Sequence, residues 1–413
     1  MDGLRLTDEE RAMLAGEHGH GVRRAMEMVI ALARIYGATE LVPIKSAQVA
    51  GVSYANIGDA GLEFLRQWAD EGARVRVPAM LNPAGMDLLA WREMGTPEPF
   101  ATKQLEVVEA YQHMGVLPTC TCAPYLLERC AGLGDHLAWS ESSAVAYANS
   151  VLGARTNREG GPGALAAAIV GRTGCYGLHT DPARCPTELF EIAVAPASAS
   201  DWGALGAIIG RASRGVPYLR FSGHAVQTVA DLAAADLRDG MRALGAAAAA
   251  TGSVALFHLE GVTPEVRLGQ VAAPTGEAQV VESLAPAYSL LDGEVEALDL
   301  VAIGCPHASL EQLETVSRFL EGRRAAIPLW LTVSRAVAER ARASGLAESL
   351  EAQGARLVAD TCVVVAPMRE MGVGAVATDS AKAASYLPGH QGVQTRFGPL
   401  ERCLEAALRG TWQ

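Results

Sequence analysis

The chain has 413 residues, half of them hydrophobic but only 5% aromatic, and a formal net charge of −12, which is room for about three lobes at roughly 150 residues each. The acidic balance repels phosphate backbones and anionic membrane surfaces, so nucleic acid is excluded as a partner and any anionic ligand must be held by local arginine or lysine. No run of about 18 apolar residues could span a membrane, no secretory segment opens the chain, and eight cysteines are too sparse for a secreted disulfide framework; a soluble, cytoplasmic protein is expected.

Thr7 and Glu10 have capping-box spacing, and apolar positions from Met13 to Leu32 predict one helix over 8–36. Leu41–Ile44 reads as a strand, Gly58–Glu71 as a helix opened at a Gly-Asp turn, and Arg74–Val77 as another strand. Further helices are expected at 99–114, 143–151, 163–170, 202–211, 229–250, 309–321, 336–345 and 400–408. Short apolar runs at 254–259, 299–303, 328–333, 356–359 and 363–365 read as buried strands. The fold class is α/β with several lobes and mostly parallel sheets. Irregular stretches at 196–201 and 264–293 are candidate separators. Met371–Ala377 fits a Gly-x-Gly-x-x-Ala pattern but lacks a strand leading into it and an acidic residue about 20 positions on, so it is set aside as a dinucleotide site.

Trp139–Leu165 is a polar cradle in which Ser, Glu, Asn, Thr and Arg alternate with small residues. Arg155 and Arg158 offer bidentate recognition of carboxylate or phosphate, and Ser142, Asn149 and Asn157 could bond hydroxyl or carbonyl groups. The competing reading is a capped helix start with solvated charges. Cys122, Cys305 and Cys362 each fall where a strand meets a loop, the place where open α/β sheets present their ligands. The competing reading is that each is a small buried hydrophobe, which Cys130, Cys175, Cys185 and Cys403 fit better.

Ordered motifs along nearly the whole chain resemble the aconitase X family of the iron–sulfur hydro-lyase superfamily. They are Glu9–Gly19 with Ala25-Met26, Val49-Ala-Gly-Val-Ser-Tyr54, Ile57-Gly-Asp-Ala-Gly-Leu-Glu-Phe64, Asn82-Pro-Ala-Gly-Met-Asp87, Cys122-Ala-Pro-Tyr125 and the cradle. After them come His258 with Gly261-Val-Thr-Pro-Glu265, Gly304-Cys-Pro-His307, Cys362 and Thr378-Asp-Ser-Ala-Lys382.

The resemblance implies an aconitase-like architecture, a single large-subunit catalytic unit over 1–413, and an iron–sulfur cluster on Cys122, Cys305 and Cys362. Cys120 is the alternative to Cys122. A 4Fe-4S cluster is favoured over 2Fe-2S or mononuclear iron, because three thiolates would leave one iron open to substrate. In that reading Arg155 and Arg158 grip a carboxylate or phosphate, Asn149 and Asn157 its polar groups, and Glu141, Ser142 or His307 orients water or shuttles a proton. Ser53, Asn56, Asp59, Ser380 and Lys382 are further substrate-binding candidates, weighed against capping and solvated charge. His258 is equally a core histidine, and His18, His20 and His224 are read as structural.

The swivelling domain that carries a serine base in this superfamily has no segment here, so a small subunit is the expected partner. The expected activity is dehydration of a small anionic hydroxy acid. The Ile57–Gly61 and Asn82–Gly85 motifs are closest to the mevalonate 5-phosphate type, with cis-3-hydroxy-L-proline or another hydroxy acid as alternatives. From other classes stand a cluster-free thiol enzyme, with Cys122 activated by His307, and a non-catalytic binding subunit.

Overall fold

The computed structural model describes residues 3–127 and 131–413; Cys130 lies outside the described residues. Among the described residues the strands form four sheets, and three of these are parallel throughout. Strands buried on both faces read as continuous apolar runs. Leu329–Val333 and Leu300–Ala308 are of this kind, and all or nearly all of their residues are buried.

In the first lobe Ala47–Val49 lies between Ala79–Leu81 and Ala138–Trp139. Helices His20–Ile35 and Gly161–Val170 pack together over this sheet. In the second lobe Glu188–Ile192 and Pro217–Phe221 are central, flanked by Gln279–Val281 and His258–Leu259. Its helices Ala199–Ala212 and Ala234–Gly252 approach backbone to backbone, which is what the abundant alanine and glycine are for. A Cβ on Gly206 would stand 2.3 Å from the Leu244 carbonyl oxygen. The third lobe is a five-stranded sheet in the order 355–359, 329–333, 300–308, 375–378, 394–397.

This architecture is the expected α/β class with mostly parallel sheets, and several segments depart from the sequence reading for local reasons. The helix expected over 8–36 is two, because Gly16 (φ 87°) caps Asp8–Ala15 in the left-handed conformation and a new helix starts at His20. Residues 74–77 are no strand: the Val75 and Arg76 N–H groups bond the Met114 and Ala168 carbonyls, and the strand forms at Ala79–Leu81 instead. Residues 363–365 form a turn closed by Val365 and Ala366 N–H groups on the Cys362 carbonyl. Of 254–259 only His258–Leu259 pairs; Phe257 N–H goes to the Ser150 hydroxyl. The helix expected from Gly58 begins at Tyr54, and Gly58 is a kink within it. The glycines of 371–377 precede the strand Ala375–Thr378 rather than following one.

The carboxyl ends of two parallel sheets meet. From the first lobe, strand ends lead into Ala50, Asn82 and Ser140; from the third, they lead into Thr361-Cys362 and Asp379-Ser380, beside Cys305 on the long strand Leu300–Ala308. A crevice outside strand carboxyl ends is where open α/β sheets bind ligands.

Candidate active site

That crevice is a cleft of about 330 Å³. Its walls include Cys122, Cys305 and Cys362 together with Ser140, Glu141, Ser142, Asn56, Asn82, Arg158 and Lys382, and Tyr386, His390 and Gln391 close one side. Three thiols separated by up to 240 positions in sequence therefore face one space. All three are free; Cys305 and Cys362 raise the pKa of Cys122, and Cys362 raises that of Cys305. Burial is the main influence: it pushes Cys305 up to about 12 and Cys122 and Cys362 above the ordinary thiol value, against the pull of Lys382. Cys120 does not line the cleft; it is buried in the core of the first lobe.

The thiols are held by hydrogen bonds suited to thiolates. The His307 backbone N–H donates to Cys122 Sγ at 3.2 Å, the Ser380 hydroxyl bonds Cys305, and the turn N–H groups at Val364 and Val365 face Cys362. Donors of this kind stabilise negative sulfur and tune a metal bound to it. Among the described residues no group of three His, Cys, Asp or Glu side chains is arranged to hold a single metal ion.

Opposite the thiols lies a buried ion pair. Glu141 caps the helix Ser142–Tyr147, taking the Ala144 N–H at 2.8 Å and the Ser143 hydroxyl at 2.5 Å, and pairs with Lys382. Burial pushes the Glu141 carboxyl up, but Lys382, Ser143 and Ala144 outweigh it and hold the group below its ordinary value. Burial likewise opposes charge on Lys382, yet Glu141 and the thiols raise its pKa above the usual ammonium value. Both carboxylate oxygens are engaged, and the pair holds Lys382 beside the thiols.

The remaining candidates divide. Arg158, at the exposed rim, has no ion-pair or hydrogen-bond partner among the described residues, and Ser142 and Asn56 line the same wall. Arg155 is turned away, paired with Asp181 and donating to the His179 carbonyl at 3.1 Å. Asn149 is fully buried and saturated: its amide donates to the Thr156 and Ala255 carbonyls and accepts from Thr156 N–H and Arg184. Asn157 bonds the Tyr176 carbonyl and the Leu178 N–H. Asp59 pairs with Lys103 at 3.1 Å on the surface. Ser53 donates to the Val365 carbonyl at 3.0 Å, tying the first lobe to the turn after Cys362, and Ser380 caps the helix that carries Lys382.

His307 is fully buried and does not line the cleft. Its ring nitrogens engage Thr121 Oγ1 at 3.1 Å and the Thr361 carbonyl at 2.9 Å, and burial lowers its pKa to about 4. The imidazole therefore does not activate the Cys122 thiol, the step that a cluster-free thiol enzyme would need. His258 is a core histidine, with Nε2 on the Arg184 carbonyl at 2.8 Å.

Sequence reasoning missed Asn82 and Ser140 as individual cleft residues. The Asn82 Oδ1 and Ser140 Oγ atoms are buried on the cleft wall without a hydrogen-bond partner. A buried unpaired polar atom is costly and points to an absent ligand. Their signal was present: each follows a short strand inside a quoted motif.

Profiles of three aconitase X domains match the chain in order, the first domain at residues 3–182, the second at 186–285 and the third at 298–409. The chain belongs to the aconitase X family. It is 48% identical to the phosphomevalonate dehydratase large subunit of Methanothermobacter thermautotrophicus, over 94% of this chain and 95% of that one. It is 38% identical to the cis-3-hydroxy-L-proline dehydratase of Pseudomonas aeruginosa, over 99% of this chain and 70% of that protein. The crystal structure of Thermococcus kodakaraensis aconitase X in its holo-form has a TM-score of 0.86 and 42% identity, covering 98% of this chain and 100% of that one. The relatives named here as dehydratases are hydro-lyases, and the aconitase X cleft of this chain sits between its first and third domains.

Proposed function

We propose that this chain is the large subunit of an iron–sulfur hydro-lyase that dehydrates a phosphorylated hydroxy acid of the 5-phosphomevalonate type. The observation that carries the reading is the convergence of Cys122, Cys305 and Cys362 on the cleft that Arg158, Asn82 and Ser140 also line. The three thiols, with N–H and O–H donors on them, fit an iron–sulfur cluster, which when bound would supply Lewis acidity to a departing hydroxyl. Cys122, Cys305 and Cys362 would hold it.

The chain's own groups bind and orient. Arg158, an unpaired cation at the rim, takes the anionic end of the substrate; deeper in the cleft Asn82 Oδ1 accepts from a substrate hydroxyl and the Ser140 hydroxyl bonds a substrate oxygen. Lys382, fixed by Glu141, places positive charge where a carboxylate and three thiolates would otherwise repel one another. Loss of hydroxyl from one carbon and a proton from its neighbour gives an alkene and water. Glu141 and Lys382 are committed to each other, which supports a base supplied by a small subunit, as the name large subunit of the relatives suggests.

The test is anaerobic reconstitution with iron and sulfide, in the presence of the small subunit, followed by assay of 5-phosphomevalonate and cis-3-hydroxy-L-proline in parallel. Dehydration of the phosphorylated acid, lost in Cys122→Ser, is the expected result. Turnover of the proline alone moves the substrate to the second class, which the 38% identical relative favours; turnover of neither, with cluster present, removes the substrate assignment.

A further inference from the structure

We propose that His307 is the positioning residue that locks the three cysteine-bearing segments into one arrangement, through ring hydrogen bonds to the Thr121 hydroxyl and the Thr361 carbonyl. The inference rests on the iron–sulfur reading above and assigns no contact with substrate. A backbone carbonyl can only accept, so the ring proton sits on Nε2 and is donated to the Thr361 carbonyl at 2.9 Å. Nδ1 is then the acceptor, and the Thr121 hydroxyl, 3.1 Å away, is the donor. The same hydroxyl oxygen accepts the Ala123 N–H at 3.1 Å, closing the loop around Cys122.

Thr121 immediately precedes Cys122, Thr361 immediately precedes Cys362, and His307 itself lies two residues after Cys305. One ring thus joins all three segments across the boundary between the first and third domains. The His307 backbone N–H adds a direct bond to Cys122 Sγ at 3.2 Å. The two loops it holds are conformationally demanding. Cys120 (φ 42°) and Asp360 (φ 64°), each two residues before a cleft cysteine, occupy the left-handed region that side chains disfavour. Such conformations persist where surrounding contacts over-determine them, and the ring contacts each loop one residue further on.

Thr121→Val keeps the shape of the side chain and removes the hydroxyl, both the donor to His307 and the acceptor of the Ala123 N–H; Thr121→Ser restores both. After anaerobic reconstitution of the full chain, the expected result for Thr121→Val is iron loss to a chelator about 10–100-fold faster than wild type, the range for changes to groups that orient metal ligands. Thr121→Ser is expected at the wild-type rate, and His307→Leu at least as fast as Thr121→Val. Since His307→Leu could disturb folding, Thr121→Val decides the point, with thermal unfolding of the apo-protein as its control. Wild-type chelation kinetics in Thr121→Val would overturn the proposal. A second readout needs no cluster: in apo-protein with 15N-labelled histidine rings, the buried His307 and His258 rings are both expected in the Nε2–H tautomer, and Thr121→Val shifts the Nδ1 resonance of His307 alone by removing its donor. If the wild-type chain binds no iron, the iron–sulfur reading falls while this measurement still decides the role of His307; a His307 ring in the Nδ1–H form in the wild type would overturn it.

Discussion

Glu141–Ser142 and Arg155–Asn157 belong to the same polar stretch, with similar composition, yet they face opposite ways. The first pair follows the strand Ala138–Trp139 directly and opens onto the cleft. The second group lies in extended chain, where side chains alternate with period two. Arg155 and Asn157 therefore share a face, turned to the 176–181 segment, and Arg158, one residue on, points to the cleft rim. Polar residues near glycine mark a segment that meets other elements; the strand end and the alternation decide which of them meet a ligand.

This contrast can be broken by substitution. The largest stability effect is expected beneath the structural half, at Arg184. Arg184 is buried with Glu265 at 2.6 Å and also bonds Asn149 and the Leu178 carbonyl. Arg184→Met strands the Glu265 charge, and urea unfolding should show a loss of about 3–5 kcal/mol, with KM unchanged in the protein that stays folded.

Lys382→Met should cost a similar amount at neutral pH but with a pH signature. In the wild type the Glu141 pKa is depressed, so the pair contributes stability above the ordinary carboxylate pKa and loses it as pH falls through the depressed value. Without Lys382, burial raises the Glu141 pKa instead. The variant is then penalised at neutral pH and recovers as acidification neutralises the carboxyl, so the difference from wild type at pH 7 should shrink at pH 5. A difference that stays constant would mean that Glu141 and Lys382 are not coupled.

At Arg158 the effect moves from stability to binding. Arg158→Ala should leave the unfolding midpoint in place and raise KM for a phosphorylated acid about 10–100-fold, from loss of roughly 1.5–3 kcal/mol of charge-assisted bonding. The smallest effect belongs to Arg155→Ala. Its partner Asp181 is largely exposed, so a stability change within about 1 kcal/mol and an unchanged KM are expected. A KM effect at Arg155 equal to that at Arg158 would erase the distinction between the two faces.

The third lobe was the most legible from sequence, because Leu300–Ala308 and Leu329–Val333 are interior parallel strands with mostly apolar runs, and Ala355–Ala359 at the sheet edge is apolar but for Arg356. The second was least so: Glu188–Ile192 is only partly buried and carries glutamate at two positions, which masks a strand. Ala47–Val49, Ala79–Leu81 and Ala138–Trp139 are two or three residues long, too short for periodicity to register. Cysteines at strand ends could be picked out one at a time, but their convergence depends on two sheets meeting carboxyl end to carboxyl end. The family resemblance implies His307, with Glu141 and Ser142, as an acid–base candidate; only the packing shows both ring nitrogens already engaged.

The most direct measurement is iron and acid-labile sulfide per chain after anaerobic reconstitution of the wild type and of Cys122→Ser, Cys305→Ser, Cys362→Ser and Cys120→Ser. A cluster in the wild type and in Cys120→Ser, lost from each of the other three, is the predicted result. Iron retained when Cys122, Cys305 or Cys362 is replaced, or a wild type that binds none, would contradict it.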